Sequence, residues 1–192
     1  MSETGAYYTQ ERWQNWLDRL RDEEVDPDDD QAARLFFNLI DDATIAVAKI
    51  IRSHDEGEMS EAEAHSELER ISEIVLTDAE MADEEKLVFV DTVQTSLLSV
   101  FYAAEEYVTA GAADEGGPEA YIEAAVDAEA EEDVDAALAY CVQAGTQIID
   151  GESFQSTKPE EIEYGYVANF VDGLSSLQTA LADPEVVEER AD

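Results

Sequence analysis

The sequence predicts an all-α fold, a single bundle of about seven helices, and three observations support it. Apolar residues recur every three or four positions along most of the 192-residue chain. No stretch shows the apolar and polar alternation that is typical of a half-buried strand. Residues that favour helix ends, namely Ser, Asp, Gly and Pro, separate the periodic stretches. The short connections favour antiparallel neighbours around two long central helices.

The first half of the chain contains four periodic stretches. An acidic loop with Pro27 separates the first from the second, and Ser60 and Glu63 have the spacing of a capping box at the start of the third. The predicted helices cover residues 9–21, 31–53, 61–76 and 83–110. The second and the fourth are the long ones.

The second half contains three more helices. One begins at Pro118, the next covers residues 134–150, and the last runs from a second capping box, Thr157 with Glu160, to Ala182. We expect one helical domain over residues 1–182, which could divide near the glycine-rich break at 111–117. An acidic tail, residues 183–192, is expected to be frayed.

The net charge of the chain predicts that the protein works at a high salt concentration. Forty-nine Asp and Glu residues against ten Lys and Arg give a formal net charge of −39, whereas small soluble domains usually need a magnitude of about 2 to 8. Such a charge destabilises a compact state at low salt, but at about 1 M salt the Debye length falls to roughly 3 Å. Because 45% of the residues are hydrophobic, we predict a folded halophilic protein rather than a disordered chain.

The same composition limits the partners and the compartment. Direct binding of nucleic acid is not expected, because that affinity rests mainly on Lys and Arg at phosphates. We found no apolar run of about 18 residues and no leader-like start, which predicts no membrane association and a cytoplasmic location. The single cysteine, Cys141, excludes an intrachain disulfide and is expected to be a small core residue.

The loop at residues 52–63 resembles a calcium-binding EF-hand loop. Gly57 and Glu63 match the turn glycine and the last ligand. However, Arg52 and His54 occupy ligand positions that need oxygen, and a helix end followed by a capping box explains the same pattern. His54, Glu63 and His65 are weak candidates for a metal site. The alternative is two exposed histidines in a solvated loop, and the sequence indicates no cofactor.

Two further features are open to two interpretations each. Trp13 and Trp16 share one face of the first helix and either belong to the core or form an aromatic anchor for a partner. The region 121–144 resembles one tetratricopeptide helix pair. A generic alanine-rich helical hairpin explains that region as well, because no second copy follows and such repeats need about three units.

Three segments carry a resemblance to a known family. They are TQERWQNWLDRL at residues 9–20, ARLFFNLIDDATIAVAKI at 33–50 and YVANFVDGLSSLQTAL at 166–181. The chain resembles a family of uncharacterised acidic archaeal proteins, found mainly in haloarchaea, over nearly its whole length. These segments are helix faces rather than catalytic motifs, so the resemblance implies no established activity.

We predict a non-catalytic cytoplasmic protein that acts through protein–protein contacts as an adaptor or regulatory subunit. Its protein partner is unknown, and a homo-oligomer is compatible with the sequence. No nucleophile, phosphate loop or cofactor motif indicates an enzyme. The alternatives are a metal-binding module or metal-dependent enzyme centred on the loop between the second and third helices, and a ribonucleoprotein-associated factor.

Overall fold

The computed structural model describes residues 6–23, 30–155 and 165–182, and these contain seven helices and no strand. The all-α prediction is therefore confirmed. The helices are α1 (Gln10–Asp22), α2 (Asp30–Asp55), α3 (Glu61–Val75), α4 (Glu84–Ala110), α5 (Pro118–Ala130), α6 (Val134–Ile149) and α7 (Tyr166–Ala182). Both predicted ends of α1 to α4 and of α6 lie within two residues of these bounds, and α5 begins at Pro118 as predicted. The last helix ends at Ala182 as predicted, but it begins at Tyr166. The second predicted capping box and the acidic tail lie outside the described residues.

Local side chains explain where several helices begin. The Thr9 hydroxyl accepts a hydrogen bond from the backbone N–H of Arg12 at the start of α1. Asp83 and Asp133 cap α4 and α6 in the same way. These side chains satisfy N–H groups in the first turn that have no partner within the helix. Gly111, with a φ of 80°, follows the last residue of α4.

The central helix is α4, which packs against α2, α3, α6 and α7. One cluster of buried apolar side chains includes residues from all seven helices, on both sides of the 111–117 break. By length and composition alone α4 could also cross a membrane, but half of its most apolar window is buried in the bundle. Core helices of soluble proteins meet the same criterion.

Helices α2 and α4 run side by side in the same direction. The Phe36 and Phe89 rings meet near their starts, and the Tyr107 hydroxyl donates to Asp55 near their ends. Helix α3 returns antiparallel to α4, as the contact of His65 with Thr109 and that of Gln94 with the backbone of Val75 show. Two long parallel helices are thus joined by a shorter antiparallel one.

Two glycines allow α6 and α7 to approach α4 closely. A Cβ at Gly173 would clash with the backbone of Ser96, and one at Gly145 would clash with Ala103. The Ser99 hydroxyl lies 2.9 Å from the Phe170 carbonyl oxygen across the α4–α7 contact. Any side chain at Gly173 would therefore force these two helices apart.

Candidate interaction surface and histidine site

The first tryptophan of α1 lies in the core. Trp13 is 2% exposed, and Tyr8, Leu17 and Leu20 are buried in the same cluster. A partner could therefore reach the Trp13 ring only if α1 left the bundle. The burial supports the core interpretation, and the role of this residue as an aromatic anchor stays a prediction that depends on such a release.

The second tryptophan is half-buried and held by Asp42 of α2. The indole Nε1 of Trp16 donates to Asp42 Oδ2 over 2.8 Å, and Arg12 Nε donates to both carboxylate oxygens over 2.9 and 3.0 Å. Burial raises the pKa of the nearby Tyr8 phenol, and the negative charge of Asp42 raises it further. The Asp42 carboxylate thus holds the polar groups of Arg12 and Trp16, while the apolar side chains of α1 pack in the core.

A different aromatic group reaches solvent near the starts of α2 and α4. We call Phe36, Phe37, Val88 and Phe89 the aromatic surface. Phe36 lies edge-on to both other phenylalanines, with ring centroids 5.4 Å from Phe37 and 5.8 Å from Phe89. Phe37 is 45% exposed and Val88 is 59% exposed. Exposed apolar groups that lie together often mark an interaction site.

The composition of this surface distinguishes it from other exposed apolar positions. Among the described residues, the remaining large exposed hydrophobic side chains are Tyr102, Tyr140 and Tyr166. A tyrosine keeps its hydroxyl in water while its ring lies on the protein. Phe37 and Val88 have no polar atom in the side chain, so their exposure gains no hydrogen bond with water.

The charges beside the aromatic surface also differ from the rest of the chain. Arg34, one turn before Phe37 on α2, is exposed and has no ion pair or hydrogen bond with the described residues. Nearby Lys86 donates instead to the Arg21 carbonyl oxygen over 2.7 Å. An exposed cation without a hydrogen-bond or ion-pair partner among the described residues is unusual on a chain with a net charge of −39.

The aromatic surface was not predicted from the sequence, although the spacing of the apolar residues on α2 contains a signal for it. Successive residues on a helix are rotated by about 100°, so Phe37 lies about 200° around α2 from both Leu35 and Leu39. Leu35 and Leu39 are both buried and fix the core direction of α2, which leaves Phe37 on the outside.

The structure directs two of the candidate metal ligands to local partners. His54 Nδ1 lies 3.2 Å from the Met59 carbonyl oxygen, which can only accept, so Nδ1 carries the hydrogen. The Glu63 carboxylate accepts from the backbone N–H of Ser60 over 2.9 Å and from its hydroxyl over 2.6 Å. The hydroxyl bond and then the backbone bond of Ser60 lower the pKa of Glu63. The predicted capping box is confirmed.

His65 faces a different helix. Its Nε2 lies 2.8 Å from the Thr109 hydroxyl of α4, and that hydroxyl donates its proton to the Glu105 carbonyl oxygen. The imidazole must therefore donate from Nε2, which leaves the lone pair of the neutral ring on Nδ1. The three candidates thus contact separate groups. Nowhere in residues 6–23, 30–155 and 165–182 do three or more His, Cys, Asp or Glu side chains form a group that could hold a metal ion.

An open groove of about 500 Å³ lies beside His65, between α3, α4 and α6. Leu138 and Val142 form an apolar side, and Glu105 and Gln143 contribute polar groups. Burial raises the pKa of the Glu105 carboxyl, nearby His65 opposes that rise and Glu69 adds to it. The groove combines an imidazole with a carboxyl that is partly withdrawn from water, and the Thr109 hydroxyl that also lines it is hydrogen-bonded to His65 and to the Glu105 carbonyl oxygen.

The region 121–144 forms the helical hairpin α5–α6. The turn contains Glu132 with a φ of 65°, and Ala125, Ala137 and Ala144 are buried where the two helices pack. Cys141 is fully buried, and this burial raises the pKa of its thiol to about 12. These features match the generic hairpin interpretation, and the thiol is a core group as expected.

Comparison with known families gives one result that covers most of the chain. Residues 6–190 match the model of a family described as "Uncharacterized protein conserved in archaea (DUF2150)". The chain belongs to this family. The predicted resemblance to an uncharacterised archaeal family is thereby confirmed. No curated protein and no solved structure matches the chain.

Proposed function

We propose that this family member is a non-catalytic cytoplasmic protein that acts through protein–protein contacts as an adaptor or regulatory subunit. The aromatic surface carries this proposal, because Phe37 and Val88 expose purely apolar side chains on a chain in which charged residues are otherwise abundant. Protein interfaces concentrate aromatic residues at their centre and deplete acidic ones. We therefore assign the proposed binding site to α2 and α4, because Trp13 is only 2% exposed while α1 is in the bundle.

We also propose that the protein is adapted to high salt. In a chain with a net charge of −39 the carboxylates repel one another in dilute buffer, and multimolar KCl screens this repulsion. Circular dichroism should show a loss of helix as KCl is lowered to millimolar concentration. Retention of the full helical signal in dilute buffer would contradict the adaptation, without bearing on the interaction surface.

A pull-down in multimolar KCl tests the interaction proposal. We expect the wild-type chain to retain a protein in a fixed ratio, and the Phe37→Glu and Val88→Glu variants to lose it. Tyr140→Glu is the matched control, because Tyr140 is 40% exposed but lies on α6. All variants must keep the wild-type helical spectrum. Equal capture by the wild type and by both surface variants would contradict the proposed site.

No described geometry favours the two alternative functions. A metal-dependent function of His54, Glu63 and His65 requires stoichiometric metal in protein purified from KCl, lost in the double variant His54→Ala with His65→Ala. A ribonucleoprotein-associated role requires co-purifying RNA. Either result would replace the adaptor proposal.

A further inference from the structure

We infer that the aromatic surface binds a second copy of this chain, so that the working unit is a homodimer. This inference rests on the proposed function, because it names the partner at the same surface. The four apolar side chains form a centre, and charged residues of both signs surround it. Exposed Arg34 lies on the α2 side, and exposed Glu84 and Glu85 lie in the first turn of α4.

The area that a stable interface must bury is larger than the aromatic surface, so the charged residues around that surface must also take part. A stable, specific interface buries about 800 Å² on each partner. Two half-exposed side chains and two mostly buried phenylalanines supply only part of that area. The first turns of α2 and α4 must therefore join the contact, and the charges on them must match those of the occupant.

The parallel course of α2 and α4 provides that match for a second copy. A two-fold axis that lies in the contact plane and runs along the helices places α2 of each copy on α4 of the other. Phe36 and Phe89 are level with each other, since their rings touch. Phe37 of one copy then meets Val88 of the other, and Arg34 falls within about one turn of the other copy's Glu84. The two-fold symmetry repeats each of these contacts, so the dimer contains both of them twice.

The charge of the whole chain makes other faces poor sites for self-association. Each copy carries a net charge of −39, and carboxylates of two copies repel when they meet. At the aromatic surface the unpaired Arg34 offsets part of this repulsion, and the centre of the contact carries no charge. Multimolar salt screens the remainder.

The first test measures the molar mass of the full chain by size-exclusion chromatography with light scattering in multimolar KCl. We expect twice 21.2 kDa for the wild type and for Tyr140→Glu, and 21.2 kDa for Phe37→Glu. Val88→Glu serves if Phe37→Glu loses helical structure, because Val88 is the more exposed of the two. A monomeric wild type overturns the inference, as does a dimer that survives both substitutions.

The second test examines the two-fold arrangement with single charge reversals. In chains with only Arg34→Glu, or only Glu84→Arg, each homodimer places two pairs of like charges together. A mixture of the two variants pairs opposite charges at both contacts. At the lowest KCl concentration that preserves the fold, differently tagged variants should form mixed dimers at least tenfold more tightly than either forms homodimers. Equal affinities overturn the arrangement.

The two proposals fail in different ways. If the wild type is monomeric but Phe37→Glu loses a captured protein of another sequence, the inference fails and the adaptor proposal stands. If Phe37→Glu disperses a dimer and no other protein is captured, the inference stands and the adaptor proposal fails.

Discussion

The aromatic pair on α1, Trp13 and Trp16, is more deeply buried than the pair on α2, Phe36 and Phe37. Trp13 and Trp16 are three residues apart, so they share one helix face, which turns toward the bundle. Phe37 is two residues from both Leu35 and Leu39, which face the core, so it lies on the opposite side of α2 and is 45% exposed. The position of a ring relative to the core-facing residues, rather than aromatic content, decides whether it is exposed.

The two aromatic pairs also differ in whether the polar side chains beside them are hydrogen-bonded within the chain. At α1 the Asp42 carboxylate accepts from Trp16 and Arg12, so the polar groups of that contact are satisfied within the chain. At the aromatic surface the exposed side chain of Arg34 has no hydrogen bond or ion pair with the described residues. The first contact is complete within one chain and stabilises the fold, whereas at the aromatic surface we propose that a second chain supplies the partner of Arg34.

The strongest test of this comparison is to remove one ring from each pair. Trp13→Ala should lower the free energy of unfolding by about 3–5 kcal/mol, because it leaves a large cavity in the core. Phe37→Ala should cost less than about 1 kcal/mol, since half of that ring is already in solvent. Urea denaturation in multimolar KCl measures both. Equal losses would show that the two pairs do not differ as the structure indicates.

A smaller effect is expected at the carboxylate that holds α1. Asp42→Asn should lower the free energy of unfolding by about 1–2 kcal/mol, because it weakens charge-assisted hydrogen bonds that are worth about 1.5–3 kcal/mol. The expected loss is at the lower end because the Arg12 side chain is 56% exposed and therefore partly screened.

The exposed Asp91 on α4 provides the control. Asp91→Asn also removes one negative charge, but it leaves the hydrogen bonds of Arg12 and Trp16 to Asp42 unchanged. Tryptophan fluorescence should shift toward that of a solvated indole for Asp42→Asn only. A change of the same size in both variants would point to net charge instead of the α1 contact.

The smallest effect concerns a buried group outside both pairs. Burial raises the pKa of Cys141 from 9.0 to about 12. Between pH 9 and pH 12 the thiol is therefore neutral in the folded state but ionised in the unfolded chain. Its contribution to stability is fully present below pH 9 and is lost as the pH rises from 9 to 12. At pH 10 the loss is about 1.4 kcal/mol.

The Cys141→Ala variant isolates this contribution from other groups that titrate in the same range, such as Tyr107, whose pKa burial raises to about 12. The free energy of unfolding of the wild type should fall more steeply between pH 8 and pH 10 than that of the variant. Identical slopes would mean that the thiol is not buried as the structure shows.

Much of the fold could be predicted because its causes are local. The apolar period of 3.6 residues predicted the bounds of α1 to α4 and of α6 to within two residues. Side-chain caps at Thr9, Ser60, Asp83 and Asp133 explain where four of these helices begin. The candidate sites were predicted less well, because they depend on contacts between distant parts of the chain. Glu63 could be assigned to its cap from spacing, but nothing local indicated that His65 faces Thr109, 44 residues away.

The sequence by itself determined the all-α class, the order of the helices and the family, because each depends on patterns within short stretches. Only the tertiary structure decided which faces remain exposed. Asp42 lies 26 residues beyond Trp16 yet holds it, and Gly173 matters because the backbone of Ser96 lies against it. Such contacts depend on how helices pack, and packing places Phe37 in solvent while it closes the core over Trp13.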